Sequence, residues 1–207
     1  MDIGERIVID YLKINGFTCA TNIKYENNNE IDILASRLNK QFHIEVQSTT
    51  NHNFGIAYIE NLQKKFVKNK KTRDDTVKDY FPRNTYKKIW IHWKFQTKFN
   101  PKNDSNDLPK LKTEIKKRTG ETIHIIQLMD IFDWLIRAIN RDAFYFDRVH
   151  DETFRFIELF LLSQKQYNND FLHKFECQDY KKLEKSLEPL QPNKEYIHEC
   201  NYCKKTK

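Results

Sequence analysis

An α/β fold is what this sequence predicts: a mixed β-sheet flanked by helices, with a helical C-terminal region. Three observations predict it. Apolar residues recur at helical spacing near the N-terminus, then alternate at strand spacing in three short runs, then return to helical spacing from about residue 55. Two more strand-like runs follow, each preceded by a basic helical stretch. No convincing strand lies beyond residue 128. That order fits one sheet-based core followed by helices.

Each element has its own signal. Ile7, Val8, Tyr11 and Leu12 make a helical stripe, and Gly16 stands where a C-terminal cap belongs. Thr18 to Tyr25, Glu30 to Ser36 and Gln41 to Gln47 read as strands. The turn-forming Asn27-Asn28-Asn29 and Leu38-Asn39-Lys40 separate them, which predicts an antiparallel meander. Gly55 to about Tyr80 reads as one helical stretch, increasingly basic. Lys87 to Phe95 is a strand in which Ile89, Ile91 and Trp93 alternate with Trp90, His92 and Lys94. A polar loop with Pro101 and Pro109 leads into a basic helix ending near Gly120, and Thr122 to Leu128 is the fifth strand. Met129 to Arg141 and Glu152 to Gln166 are amphipathic helices. The expected organisation is a core over 1–128, a helical extension over 129–185 and a polar tail over 186–207.

Composition narrows the function classes. The chain has 207 residues, 28 of them aromatic, which excludes a wholly disordered protein despite a mean hydropathy of -0.82. No apolar run reaches the roughly 18 to 20 residues of a membrane span. The N-terminal MDIGERIVIDYLK carries acids in a helical pattern, so no secretory signal is expected and a soluble, intracellular protein is. Four cysteines are too few for a disulfide scaffold. Residues 61–118 hold 18 Lys or Arg against 6 Asp or Glu, while the remainder holds 18 against 23. A basic middle in an otherwise mildly acidic chain points to an anionic partner, above all nucleic acid.

Strand alternation decides which side chains share a face. In the third strand Phe42, Ile44 and Val46 point one way, and His43, Glu45 and Gln47 the other. In the second, Ile31, Ile33 and Ala35 form the apolar face and leave Asp32 opposite. If the two strands form a hairpin, Asp32 approaches Glu45. Glu5 borders the buried stripe of the first helix and can look down on the sheet. Three converging carboxylates repel one another unless a divalent cation neutralises them, and hard oxygen ligands favour Mg²⁺ or Mn²⁺ over Zn²⁺. Taken singly, each of the three reads as an ordinary surface charge on a half-exposed sheet.

Together they resemble a family. Gly4-Glu5, Tyr11-Leu12, Asn15-Gly16-Phe17, Asn29-Glu30-Ile31-Asp32-Ile33-Leu34-Ala35, His43-Ile44-Glu45-Val46-Gln47 and Phe54-Gly55 are similar to the PD-(D/E)XK nuclease superfamily, in particular to archaeal Holliday-junction resolvases and related small nuclease-like proteins. The resemblance covers about a third of the chain and implies a restriction-endonuclease-like core. It implies that Glu5, Asp32 and Glu45 bind metal, and it puts Gln47 where the family has the lysine that orients or activates water. Glutamine can hydrogen-bond a water but brings no positive charge. In this superfamily the lysine can instead come from the next helix, which makes Lys64 and Lys65 candidates, Lys65 at the closer spacing. Their ordinary reading is as members of a basic helical face.

The function implied is a Mg²⁺- or Mn²⁺-dependent endonuclease acting on double-stranded or branched DNA, of restriction, homing or junction-resolving type, with a homodimer plausible for duplex cleavage. RNA remains open as a substrate. Lys64, Lys68, Lys70, Lys71 and Arg73 suit phosphate contacts. Asn51, His52 and Asn53 follow the acidic strand and could reach a groove, while Trp90, Trp93 and Phe95 read as core before they read as base-stacking platforms. His198, Cys200 and Cys203 offer up to three ligands for Zn²⁺, with Cys177 or His173 as a fourth. Two other functions stand beside the nuclease. One is a non-catalytic nucleic-acid binder on a degenerate nuclease fold; the other is a zinc-tailed interaction module.

Overall fold

The computed structural model describes residues 2–26, 29–47, 56–68, 70–81, 85–93, 104–141 and 185–190. The chain divides into two compact units, Met1–Leu128 and Met129–Lys207. The first unit holds a five-stranded sheet in the order β1-β2-β3-β4-β5, with β1 Thr18–Lys24, β2 Glu30–Arg37, β3 Lys40–Gln47, β4 Lys87–His92 and β5 Ile123–Gln127. The first three strands form the expected antiparallel meander. β4 then lies parallel to β3, and β5 parallel to β4. The sheet is therefore mixed, and the fold is α/β. β3, paired on both edges, is the strand at which the direction changes.

Helix α1, Ile3–Ile14, opens with a capping box: the Asp2 carboxylate accepts from the Glu5 N–H at 2.9 Å, and Glu5 Oε2 accepts from the Asp2 N–H at 3.3 Å. Its C-terminus ends as Gly16 predicts. The N–H of Gly16 donates to the Lys13 carbonyl and that of Phe17 to the Leu12 carbonyl, with Gly16 at φ +74°. This is a Schellman ending, and the left-handed backbone costs glycine nothing. Arg37 then lies across Gly16 and donates to the Asn15 carbonyl at 2.7 Å. Phe17 meets Phe42 at 5.4 Å between ring centroids, which places α1 over the Phe42-Ile44-Val46 face of the sheet.

The opposite face is not half-exposed. The stretch from residue 55 to 80 is two helices, α2 Ile56–Phe66 and α3 Lys70–Tyr80, rather than one. Leu62 and Phe66 of α2 pack with Trp90, Ile115, Ile123 and Ile125. Val77 of α3 and Phe81 pack with Ile23, Ile31 and Leu34. Ile115 belongs to α4, Asp104–Thr119, which begins before Pro109 instead of after it. Trp90 is core, 1% exposed. Covered by α2, α3 and α4, the face carrying His43 and Glu45 is as dry as the other, because helices rather than solvent satisfy its apolar neighbours.

In the second unit, α5, Leu128–Arg141, buries Ile131, Leu135 and Ile136 along one side. Leu187 and Leu190 are buried around a 3₁₀ turn at Glu188–Leu190. The predicted helix over 152–166 lies outside the described residues. Among the described residues no helix is long and apolar enough to cross a membrane.

Candidate active site

The backbone pairing of β2 with β3 stops at Ile33 opposite Ile44. Just past that point the Asp32 carboxylate takes over from the ladder: its Oδ2 accepts the Val46 N–H at 2.7 Å. Glu45 stands beside it on the same face. Both are buried, Asp32 at 8% and Glu45 at 1% exposure, which corrects the reading of these acids as half-exposed surface charges.

Two ionisable acids this close and this dry need a cation. The structure supplies it from α2. Lys65 Nζ lies 2.5 Å from Glu45 Oε2, 3.1 Å from Asp32 Oδ2 and 3.4 Å from Asp32 Oδ1. Lys65 is therefore not an ordinary member of a basic face; its stem runs inward and only part of the side chain reaches solvent. Leu62 and Phe66, buried on the same helix, turn the intervening residue toward the sheet. Burial pulls the ammonium's pKa down, but the charges of Glu45 and Asp32 outweigh it and hold the group above its ordinary value. Burial raises the Asp32 carboxyl to about 6, with the neighbouring Glu45 charge adding to it and Lys65 opposing. Glu45 is raised too, again by burial and against Lys65.

The other oxygen of Glu45 is held by a residue to which the sequence reading gave no role. His43 Nε2 is 2.8 Å from Glu45 Oε1. His43 is fully buried, and burial together with the charges of Arg73 and Lys88 depresses its pKa well below the usual range. Burial disfavours the charged ring, and a neutral ring protonated at Nε2 would donate to the carboxylate. Its face packs on Phe66, 4.9 Å between centroids. The signal was present in the sequence: His43 lies two residues from Glu45, hence on the same side of β3.

Glu5 stands outside the Lys65 contacts: its Oε2 accepts from the Asp2 N–H in the capping box, while burial and the charge of Asp32 raise its pKa, which puts it within electrostatic reach of that acid. Among the described residues no cluster of three or more His, Cys, Asp or Glu is placed to hold a metal ion. Gln47 ends β3 and its carbonyl accepts the Trp93 N–H at 3.1 Å. The positive charge between the acids comes from Lys65.

Of the residues assigned to phosphate contact, Lys64, Lys68 and Lys71 are exposed. Lys70 is exposed and paired with Glu121 Oε1 at 3.0 Å. Arg73 is a correction. It is 0% exposed, because the break after α2 turns α3 so that Arg73 and Val77 share its inward side, and it cannot touch a ligand from there. Asn51, His52, Asn53 and Phe95, and the candidate zinc ligands His173, Cys177, His198, Cys200 and Cys203, lie outside the described residues.

The donor set fits a hard divalent cation. Mg²⁺ takes one or two carboxylates, keeps waters elsewhere and adds substrate phosphate oxygens, so Asp32 and Glu45 meet its protein requirement without a third acid. Lys65 bridges the two buried acids, and the charge of Arg73 also acts on Glu45.

No protein-family model matches the chain, and no curated protein does. Two solved structures are similar to it. One is a protein of unknown function, AF1548, at 14% identity and a TM-score of 0.36, covering 60% of this chain and 55% of that one, so this chain spans about half its length. The other is an XisH family protein from Nostoc punctiforme, at 11% identity and a TM-score of 0.40, covering 63% of this chain and 94% of that one.

Proposed function

We propose that this chain is a metal-dependent endonuclease of the PD-(D/E)XK kind, hydrolysing phosphodiester bonds in DNA. The observation that carries the reading is the Lys65 ammonium bridging Asp32 and Glu45. Two acids and a lysine at one point correspond to two of the three metal ligands and to the cation that the sequence resemblance implies, with the lysine delivered from α2 in place of Gln47.

Asp32 and Glu45 would hold Mg²⁺ or Mn²⁺. When bound, such an ion polarises a phosphoryl oxygen and lowers the pKa of a coordinated water. His43 holds Glu45 Oε1 and would steady the carboxylate as a ligand. Lys65, half in solvent, is the group that can turn from the acids to an incoming phosphate or to the attacking water. Lys64, Lys68 and Lys71 lie on the same stretch of chain and suit backbone phosphates. A homodimer would supply the second centre that duplex cleavage needs.

One observation favours a second reading. Lys65 already satisfies both acids, and no third ligand stands with them among the described residues. A nuclease fold that binds nucleic acid without cutting it would look the same.

Plasmid DNA and a synthetic four-way junction, each with Mg²⁺, Mn²⁺ or EDTA, separate the two. Metal-dependent cutting by the wild type that disappears in Asp32→Ala and Glu45→Ala is the expected result. Salt-sensitive binding without cutting in all three proteins would replace the nuclease with the non-catalytic binder.

A further inference from the structure

The junction of α2 and α3 holds a buried cation that the proposed chemistry does not use. Arg73 Nη1 donates to the carbonyl of Lys65 at 3.1 Å and to that of Lys68 at 3.4 Å. Its Nη2 pairs with Asp74 Oδ1 at 3.2 Å, and the same oxygen accepts the Tyr86 hydroxyl at 2.8 Å. From β4, Lys88 Nζ reaches the Phe66 carbonyl at 3.4 Å.

A helix ends with carbonyls that lack intrahelical partners, and at a surface water would serve them. Here two buried cations do so, from two different elements. Burying a guanidinium is expensive and is tolerated when its charge and most of its hydrogen bonds are met; Arg73 Nη1 and Nη2 are paired, while its Nε has no partner among the described residues. One of the carbonyls so held belongs to Lys65 itself. The backbone of that residue is gripped on one side while its ammonium stands on Asp32 and Glu45 at the other.

We propose that Arg73 is a positioning residue: by holding the Lys65 carbonyl in the last turn of α2 and the Lys68 carbonyl just beyond it, it fixes where the Lys65 ammonium stands over the two acids. The proposal rests on the nuclease reading only for what that ammonium does, not for where it is held.

The test is competitive labelling of the full-length chain with a trace of acetic anhydride, read by peptide mass spectrometry as the Lys65 to Lys64 ratio. Lys64 is its exposed neighbour and serves as the internal standard. An amine held in two ion pairs is shielded from the reagent, so wild-type Lys65 should label more slowly than the exposed Lys64. In Arg73→Met the ratio should rise toward one, and in Arg73→Lys it should fall between. Circular dichroism and melting check that each variant is folded. Should Arg73→Met not fold, Asp74→Asn, which keeps Arg73 but strips its ion pair, should raise the ratio part of the way. A folded Arg73→Met, or in its place a folded Asp74→Asn, with the wild-type ratio overturns the proposal. So does an equal rise at buried Lys88, which marks general loosening. The ratio needs neither metal nor DNA, so failure to cleave overturns the nuclease reading and leaves this measurement standing.

Discussion

Lys65 and Glu45 are 20 residues apart in the chain and in direct contact in the fold, Nζ to Oε2. The contact joins the helix after the sheet's third strand to that strand's one acid. It puts the positive charge of the site on α2 and leaves position 47 with an amide.

Lys65→Ala should therefore lower metal-dependent cleavage by at least about 100-fold, the usual loss when one charge-stabilising donor is removed. Gln47→Ala should lower it by less than about tenfold. Single-turnover rates at saturating Mg²⁺ give both numbers, and a larger loss in Gln47→Ala would return the role to the strand.

His43 acts through Glu45. His43→Leu removes the donor to Oε1 and should weaken Mn²⁺ binding by about 10- to 100-fold, as loss of a ligand's supporting hydrogen bond does elsewhere. His43→Gln, which can still donate, should lose less. Calorimetric titration with Mn²⁺ reads the effect without any nucleic acid. Equal affinities for the His43→Leu variant and the wild type would leave His43 a purely structural residue.

Asp32 should make the fold less stable as pH rises. Its pKa is raised from 3.8 to about 6, so between those values the folded chain binds more protons than the unfolded one. Stability from this group is then full below pH 4 and lost on passing pH 6, by on the order of 3 kcal/mol. Asp32→Asn does not titrate. Urea denaturation of both proteins from pH 4 to 8 should show the variant gaining on the wild type as pH increases. A constant difference would mean that Lys65 cancels the cost of the charge.

Lys64, Lys68 and Lys71 are exposed and should behave as phosphate contacts. Each change to Gln should reduce the slope of log affinity against log salt by about 1 and weaken binding to all sequences alike. Arg73→Gln should leave that slope unchanged. Fluorescence anisotropy over a salt series is sufficient, and a reduced slope in Arg73→Gln would contradict its burial.

Much of the sheet was legible because its signals are local. Gly16 ends α1 with the backbone conformation that glycine favours, and two turn-rich triplets mark the meander. The pairing of Asp32 with Glu45 followed from alternation and one assumed hairpin. What alternation cannot say is what covers a face. The acids read as half-exposed because the sequence does not show α2, α3 and α4 all settling on one side. The same gap hid Arg73, whose composition-level reading as a phosphate contact ignores that the chain breaks after Phe66 and rotates α3 inward. Glu5 shows a related limit: a residue bordering a buried stripe also borders the helix N-terminus, where its carboxylate enters a capping box while still feeling the charge of Asp32.

Lys65 takes its aim from Leu62 and Phe66, the residues that seat its own helix, and not from its distance along the chain to Glu45. A single residue inserted between Leu62 and Lys65 swings the lysine about 100° around the helix axis and off its target. A distant relative of this chain is to be sought by helical phase, as a lysine directly preceding a seated aromatic, rather than by a fixed count of residues after the strand.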